Sequence, residues 1–400
     1  LGVGLYGMLT PLLFAGLGAL YARVGPLLPQ GGEAGGALLT AARFVLATLL
    51  ILPPTFFMGC TFPLLTRRFA SDPALGRRIG QLYTVNTLGA AAGTLFSTYV
   101  LLQAFGIRGT LVFTALLNAA IFGWAVWWQR REGPSLPEHG GAERGPEDAP
   151  RPRVRAWPVY LLAAFSGFLT LSFENVWSHV LALLVGTSSY AFGVVLFCFL
   201  LGLTVGGALV TRLLAQASPE RVFGAVIGLL LATAAAIALT HGWWERVPQV
   251  FAVVGWFGPG FWTAELTRGA VAFGLIALPI VLMGMLFPAA LVLLREFGAS
   301  AARQVGVAYV FNTVGTIAGS VLTGFVLLGA LGSEETLRLL NILPVAVALA
   351  LLWFVRSRVR RALFATLALA LAWHAIVSTR WDIAKMSDGS HIYFQPGYDI

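Results

Sequence analysis

Long apolar runs separated by short polar segments dominate this sequence, and they determine the solvent in which the chain can fold. A helix needs about 20 apolar residues to cross the roughly 30 Å hydrocarbon core of a bilayer. Runs of this kind lie near residues 2–22, 38–66, 82–103, 110–128, 159–185, 189–211, 222–240, 269–294, 306–329, 336–355 and 362–379. They predict an all-α fold, a polytopic transmembrane helical bundle.

The composition excludes a water-soluble globule. Hydrophobic residues make up 58% of the 400 residues and charged residues only 11%, whereas soluble domains carry about 25% charged residues. The lipid bilayer is therefore a predicted partner. The formal net charge of +9 arises from basic residues clustered between the apolar runs, which indicates membrane topology rather than nucleic-acid binding.

Basic residues mark one side of the membrane, which we expect to be a bacterial inner membrane. The loops that hold 18 of the 26 basic residues lie near 67–81, 129–157, 212–221, 295–305 and 356–361. The positive-inside rule predicts that these loops are cytoplasmic. Segment 241–268, on the opposite side, contains Trp243, Trp244, Trp256 and Trp262. Such a segment favours an anchor at the lipid headgroups or, alternatively, a lid over a ligand.

A sequence repeat divides the chain. PTFFMGCTFP at 54–63 recurs as PIVLMGMLFP at 279–288, and GQLYTVNTLGAAAGTLFSTYVLLQAFG at 80–106 aligns with GVAYVFNTVGTIAGSVLTGFVLLGALG at 306–332. An even number of apolar runs separates the paired helices, so both copies enter the membrane in the same direction. The sequence thus predicts two parallel pseudo-repeats related by an axis along the bilayer normal.

The repeat also predicts the domain organisation, which is similar to the two six-helix halves of the major facilitator superfamily. We expect an N-terminal membrane half at 1–128, a flexible cytoplasmic linker at 129–157, a C-terminal membrane half at 158–355, an additional membrane helix at 356–379 and the start of a truncated extramembrane region at 380–400. Runs 159–185 and 189–211 have no counterparts in the first half. Two helices are therefore expected to be missing upstream of Leu1.

These motifs resemble the membrane portion of bacterial fused spermidine synthase-like proteins. The resemblance runs from about residue 50 to 395 and also includes SGFLTLSFENVWSHVLALLVGTSSYAF and TRWDIAKMSDGSHIYF. It implies that a polyamine aminopropyltransferase-like domain follows residue 400 and that two helices precede Leu1. That the membrane part handles a small cationic metabolite is a further hypothesis. The chain departs from the family pattern Tyr-Glu-x-x-Trp-x-Arg at Phe173 and His179.

No catalytic motif occurs within these 400 residues, because they contain neither a glycine-rich nucleoside-binding turn nor an aspartate cluster. Whether the protein is an enzyme depends on the implied downstream domain. Cys60 and Cys198 both lie inside apolar runs, so we predict no disulfide framework, no metal and no cofactor in this chain. If run 362–379 crosses the membrane, residue 380 and those after it lie outside the cytoplasm.

Glu174 is the first candidate site residue. It lies deep in an apolar run, where an ionised carboxylate costs several kcal/mol, so we expect it to be protonated, paired or in contact with a wet cavity. Asn175 and His179 are four residues apart and share a helix face. The three side chains predict a proton relay or cation site; the alternative is a clasp that only fixes helix packing.

Equivalent polar residues of the two repeats form the second candidate site. Asn86 and Asn312 follow Tyr83 and Tyr309 by about one turn and are expected to approach each other across the pseudo-twofold axis. A central ligand site is one interpretation. The alternative is a close-packed seam, because Asn-x-x-Gly-x-x-x-Gly is typical of tightly packed membrane helices.

Three functions remain open. The first is the membrane domain of a spermidine synthase-like fused protein, which anchors an aminopropyltransferase-like domain and passes it a small cation. The second is a facilitator-like secondary transporter with a midplane site formed by Glu174, Asn86 and Asn312. The third is a structural accessory subunit that binds other membrane subunits through its Gly-rich and Trp-rich faces.

Overall fold

Helices are the only regular secondary structure in the part of the chain that the computed structural model describes. The described residues are 2–24, 32–67, 75–132, 156–214, 216–258, 260–294, 301–355, 357–378 and 380–387. The α-helices are α1 (Gly2–Val24), α2 (Gly32–Arg67), α3 (Leu75–Phe96), α4 (Leu102–Glu132), α5 (Ala156–Val185), α6 (Ser189–Leu213), α7 (Pro219–His241), α8 (Val247–Gly255), α9 (Phe261–Leu293), α10 (Ala301–Val321), α11 (Leu328–Leu351), α12 (Arg358–Val377) and α13 (Ile383–Met386). These ranges contain no β-strand, and the all-α prediction is confirmed.

Nine stretches of the described chain are long and apolar enough to cross a membrane. Two of them, Thr84–Arg131 and Gln304–Leu351, are 48 residues long, about twice what one crossing needs. Each breaks near its middle, at Gly106 and Gly332. The chain is a multi-pass membrane protein, and the breaks account for the two additional crossings that the sequence predicts.

The sequence repeat is also a repeat of backbone conformation. A π-helical segment at Ser97–Leu101 has its counterpart at Leu322–Leu327. A few residues later, Gly106 has φ 61° and ψ −174°, and Gly332 has φ 74° and ψ 177°. Residues other than glycine rarely adopt this region. The two copies therefore turn the chain between successive membrane helices in the same way.

Helices α2 and α9 are continuous through their prolines. α2 runs through Pro53 and Pro54, and α9 runs through Pro279 and Pro288, without a helix break. Pro54 has no N–H to donate to the carbonyl of Leu50. The hydroxyl of Tyr6 on α1 donates to that oxygen instead, at 2.6 Å. A neighbouring helix thus satisfies the acceptor that the proline leaves open.

The helices form two compact units. The first comprises Leu1–Asp72 and Ser97–Gly145, and in it α1 packs against α2 and α4. The second comprises Pro73–Phe96 and Pro146–Ile400. In the second unit α5 packs along α10, α6 along α9 and α3, and α7 along α9, α11 and α12. Although the sequence assigns α3 to the half at 1–128, α3 packs on α6 of the second unit.

The segment after α12 lies against the end of α7. The indole N–H of Trp381 donates to the His241 carbonyl at 3.0 Å, and its ring stacks on the imidazole of His241. Trp244 is 1% exposed and also contacts Trp381. Trp244 is therefore buried in the protein, contrary to its prediction as a headgroup anchor, whereas Trp243, Trp256 and Trp262 are exposed.

The helix ends show at which end of the second unit this segment lies. α7 begins in the basic loop 212–221 and ends at His241, and α12 begins in the basic segment 356–361 and ends beside the last turn of α7. α12 thus runs in the same direction as α7. Residues 380–387 lie at the end of the unit opposite these basic loops. The predicted linker at 129–157 begins inside α4, and its residues 133–155 lie outside the described residues.

Candidate functional site

Glycine residues bring α5 and α10 into backbone contact. A methyl group added at Gly315 would lie 2.9 Å from the Cα atom of Ala164, and one at Gly319 would lie 2.9 Å from the Cα atom of Phe168. A methyl group at Gly167 would in turn lie 2.7 Å from Thr316 Oγ1. Only glycine allows these approaches, because ordinary van der Waals contact needs about 3.5–4.0 Å.

Three of the predicted site residues connect α5 to neighbouring helices. Asn312 Nδ2 donates to the carbonyl of Ala163 at 3.0 Å. Asn175 Nδ2 lies 3.2 Å from both the carbonyl oxygen and the hydroxyl of Ser320. His179 Nδ1 is 2.8 Å from the hydroxyl of Ser333 at the start of α11. These contacts are those of a helix clasp, the alternative that the sequence also allows.

A cavity of about 170 Å³ lies beside this clasp. It is lined by Ser166, Gly167, Thr170 and Leu171 of α5, Leu203 of α6, Met283, Gly284 and Phe287 of α9, and Tyr309, Asn312 and Thr316 of α10. The lining thus combines hydroxyl and amide groups with an apolar wall. No cationic side chain of the described residues is part of it. A polar cavity of this size has room for several water molecules or one small metabolite.

Glu174 lies one helical turn beyond Thr170 of the cavity wall, on the same face of α5. Its side chain is half-buried. Within the described part of the chain it makes no hydrogen bond and no ion pair. An unpaired carboxylate inside a membrane helix is typical of a functional group that faces water or a cationic ligand.

The predicted pair of asparagines does not form one site. Asn312 lines the cavity and bonds to α5, whereas Asn86 is exposed on α3, which packs on α6. Tyr309 also lines the cavity, and its ring meets that of Phe287 edge to face at 4.9 Å. Tyr83 lies on α3, but its side chain is outside the described set. The structure therefore brings together the second-repeat residues Tyr309 and Asn312.

Sequence reasoning missed part of the cavity wall. Met283, Gly284 and Phe287 belong to the repeated motif at 279–288, which marked the duplication without being assigned to a site. Ser166 and Thr170 are spaced four residues apart on α5. Small hydroxyl residues at this spacing in an apolar helix are the signal that could have identified them.

A second polar cluster lies at the opposite end of the unit from the basic loops. A narrow cavity there is lined by Ile237, Ala238, His241, Leu337, Arg338, Asn341, His374, Ala375 and Ser378. Arg338 donates to Glu334 at 2.7 Å and to the Ser378 carbonyl at 2.8 Å. The cavity volume is about 10 Å³, which is enough for a single water at most. The cluster joins α11 to the end of α12.

Comparison with known proteins does not assign this chain to a family. No protein-family model, no curated protein and no solved structure matches it. The chain's own geometry is therefore the basis for the function.

Proposed function

We propose that this chain is an integral membrane domain of a bacterial plasma membrane that binds a small organic cation in the cavity between α5, α6, α9 and α10. The observation that carries the proposal is the partly polar cavity of the second unit, one helical turn from the carboxylate of Glu174, which has no partner among the described residues. Hydroxyl and amide oxygens would accept hydrogen bonds from an ammonium group, and the carboxylate would balance its charge.

The size of the cavity limits the ligand. At about 170 Å³ it is smaller than the pockets of about 300–1,000 Å³ that hold drug-sized molecules. The described lining offers a cation no competing positive charge. Short aliphatic amines fit both conditions. The resemblance to spermidine synthase-like proteins points to the same chemical class, the polyamines, and adds an aminopropyltransferase-like domain that this membrane part would anchor.

The attachment point of such a domain lies away from the basic loops. Residues 380–387 are held against His241 and Glu245 by Trp381 and by the backbone N–H of Asp382, which donates to Glu245 Oε1 at 2.6 Å. By the positive-inside rule this is the non-cytoplasmic side. We therefore propose that the anchored domain meets its amine on that side.

A binding measurement tests the proposal. The chain in lipid nanodiscs is titrated with radiolabelled putrescine or spermidine, and Glu174→Gln is expected to weaken binding by about tenfold or more. Glu220→Gln is the matched control, because Glu220 is an exposed carboxylate at the start of α7, and it should bind like the wild type. Ser166→Leu, which fills the cavity, should also abolish binding. Equal affinity in all four proteins would overturn the proposal.

A facilitator-like carrier is the second candidate. It is favoured by the paired π-helical segments and glycine breaks, because π-bulges recur at functional sites and broken helices are typical of transporters. Proteoliposomes loaded with buffer and exposed to labelled amine distinguish the two functions. Uptake that needs Glu174 indicates a carrier; binding without uptake indicates a binding or anchoring domain.

The accessory-subunit function is favoured by a different observation. Several glycine residues of the second unit and of α2 have no atom of the described residues within 4 Å of an added methyl group. Helix faces of this kind could bind other membrane subunits, and they are separate from the cavity.

A further inference from the structure

The two repeats bury opposite faces of equivalent helices. On α10, Gly315 and Gly319 are buried against α5. On α3, the equivalent Gly89 and Gly93 are exposed, and a methyl group added at either would meet no atom of the described residues within 4 Å. Asn86, the equivalent of Asn312, is exposed on the same stripe. The face that closes a seam in the second repeat is thus open in the first.

The converse holds for the other face of each helix. Thr87 and Ala91 of α3, which packs on α6, are buried. Their equivalents on α10 are Thr313 and Ile317, and both are exposed, Ile317 by 59%. Each helix therefore has one of two interfaces filled, and the filled interface differs between the copies. A pair of duplicated helices with the same motif is expected to make both interfaces.

We propose that the α3 stripe of Asn86, Gly89 and Gly93 is the docking site of a membrane-spanning helix of the α5 type that lies outside residues 1–400. The occupant would be apolar and would carry small residues in the pattern of Ala163, Ala164 and Gly167. Its backbone would pack on Gly89 and Gly93, and one of its carbonyl oxygens would accept from the Asn86 amide.

The contact between α5 and α10 shows which features the partner helix must have. Asn312 Nδ2 reaches a backbone carbonyl of α5 at 3.0 Å, and Gly315 and Gly319 lie against backbone atoms of α5, with the Ser172 hydroxyl also close to Gly319. Small residues on both helices allow this approach and provide the van der Waals contact that drives association in lipid. A second copy of the chain cannot supply α5 for this purpose, because that face of its α5 is already covered by its own α10.

The repeated motif on α2 shows the same pattern in the first unit. At Gly284 of α9 an added methyl group would lie 2.8 Å from the Cα atom of Leu203 on α6. At the equivalent Gly59 it would meet nothing within 4 Å among the described residues, and the flanking Met58 is exposed. Among the described residues, α2 thus lacks a counterpart of the α6 contact that covers Gly284 on α9.

The probe for the experiment is a synthetic peptide with the sequence of residues 156–185, which contains the α5 contact face and no cysteine. The peptide carries the donor fluorophore. The full chain carries the acceptor on a cysteine introduced by Gln216→Cys, after both native cysteines have been replaced (Cys60→Ala, Cys198→Ala). The two are mixed in lipid vesicles. We expect saturable energy transfer. The chain variant Gly89→Leu, Gly93→Leu and the peptide variant Gly167→Leu should each weaken it by about tenfold or more.

The matched control is Gly224→Leu, Gly228→Leu on α7, because these glycines are also four residues apart, with no atom of the described residues within 4 Å of an added methyl group, but lie outside the α3 stripe. Both glycine positions on α3 are open, so helicity by circular dichroism should match the wild type. Three outcomes contradict the proposal: no transfer above a scrambled peptide, equal loss in the α7 control, or self-association of the chain that Gly89→Leu removes. Failure here leaves the amine-binding measurement unaffected, since the stripe is not part of the cavity.

Discussion

The Tyr6 hydroxyl compensates for one of the prolines of α2. The Tyr6 hydroxyl donates to the Leu50 carbonyl that Pro54 leaves without a helical donor. We expect Tyr6→Phe to lower the free energy of unfolding by about 1 kcal/mol. In a Pro54→Ala background the same substitution should have a much smaller effect, because the introduced alanine supplies the missing N–H. Unfolding of the four proteins in SDS measures this double-mutant cycle; an undiminished effect of Tyr6→Phe in the alanine background would contradict the explanation.

At the far end of the described chain, Asp382 makes the packing of α13 depend on pH. The backbone N–H of Lys385 donates to the Asp382 carboxylate at 3.3 Å, and Lys385 Nζ lies 3.3 Å from its other oxygen. The backbone hydrogen bond, followed by the side-chain contact, lowers the pKa of this exposed carboxyl. A lowered pKa favours the folded segment at pH values above the unfolded-state pKa of about 3.9, and this contribution is lost as the pH falls through the folded-state pKa.

The measurement is the mobility of a spin label at Ser387→Cys in the cysteine-free background. We expect mobility to rise below about pH 4 and to stay flat in Asp382→Asn, which keeps a helix-capping side chain but does not titrate. Glu245 also accepts a hydrogen bond from this segment, so the difference between the two proteins isolates Asp382. Identical pH profiles would rule out this role.

Among the elements, the helix breaks at Gly106 and Gly332 have the most direct test. Gly332 has φ 74° and open space around its α-carbon, so the cost of Gly332→Ala comes from the backbone alone. We expect about 1–3 kcal/mol of destabilisation. Gly329→Ala, three residues earlier in helical conformation and equally open, should be neutral or slightly stabilising. Thermal unfolding compares the two; equal effects would contradict the backbone explanation.

The helices could be predicted from the sequence because each membrane crossing needs a minimum length of apolar residues. The breaks were found as gaps between apolar runs, and the duplication by direct comparison. The hydrogen bond that supports α2 at Pro54 could not be predicted from the sequence, because the donor to the Leu50 carbonyl, the Tyr6 hydroxyl, belongs to another helix. The same limit applies to the site. Glu174, Asn312 and Tyr309 carry visible chemistry in the sequence, whereas Ser166 and Gly284 became site residues only through the packing of α5 on α10 and of α6 on α9.

Packing also distinguishes the two asparagines of the repeat. Asn86 and Asn312 have equivalent neighbours along the sequence, and symmetry alone places them together. The structure fills the α5 seam for one and not for the other, so one amide is bonded and lines a cavity while the other is exposed. The motif thus predicts that a helix face can pack closely against another helix, and the presence of a neighbouring helix determines whether that contact forms.

At the scale of the whole molecule, the direction of α12 predicts the side of the membrane on which residues 380–387 lie. α12 ends beside His241, at the opposite end of α7 from the basic loop 212–221. A membrane-impermeant maleimide tests this in right-side-out vesicles of the cysteine-free chain. Ser387→Cys should react in intact vesicles, whereas Gln216→Cys, in that loop, should react only after permeabilisation. If both cysteines, or neither, react in intact vesicles, the two residues lie on the same side of the membrane. α12 then does not cross, and residues 380–387 lie on the side of the basic loops.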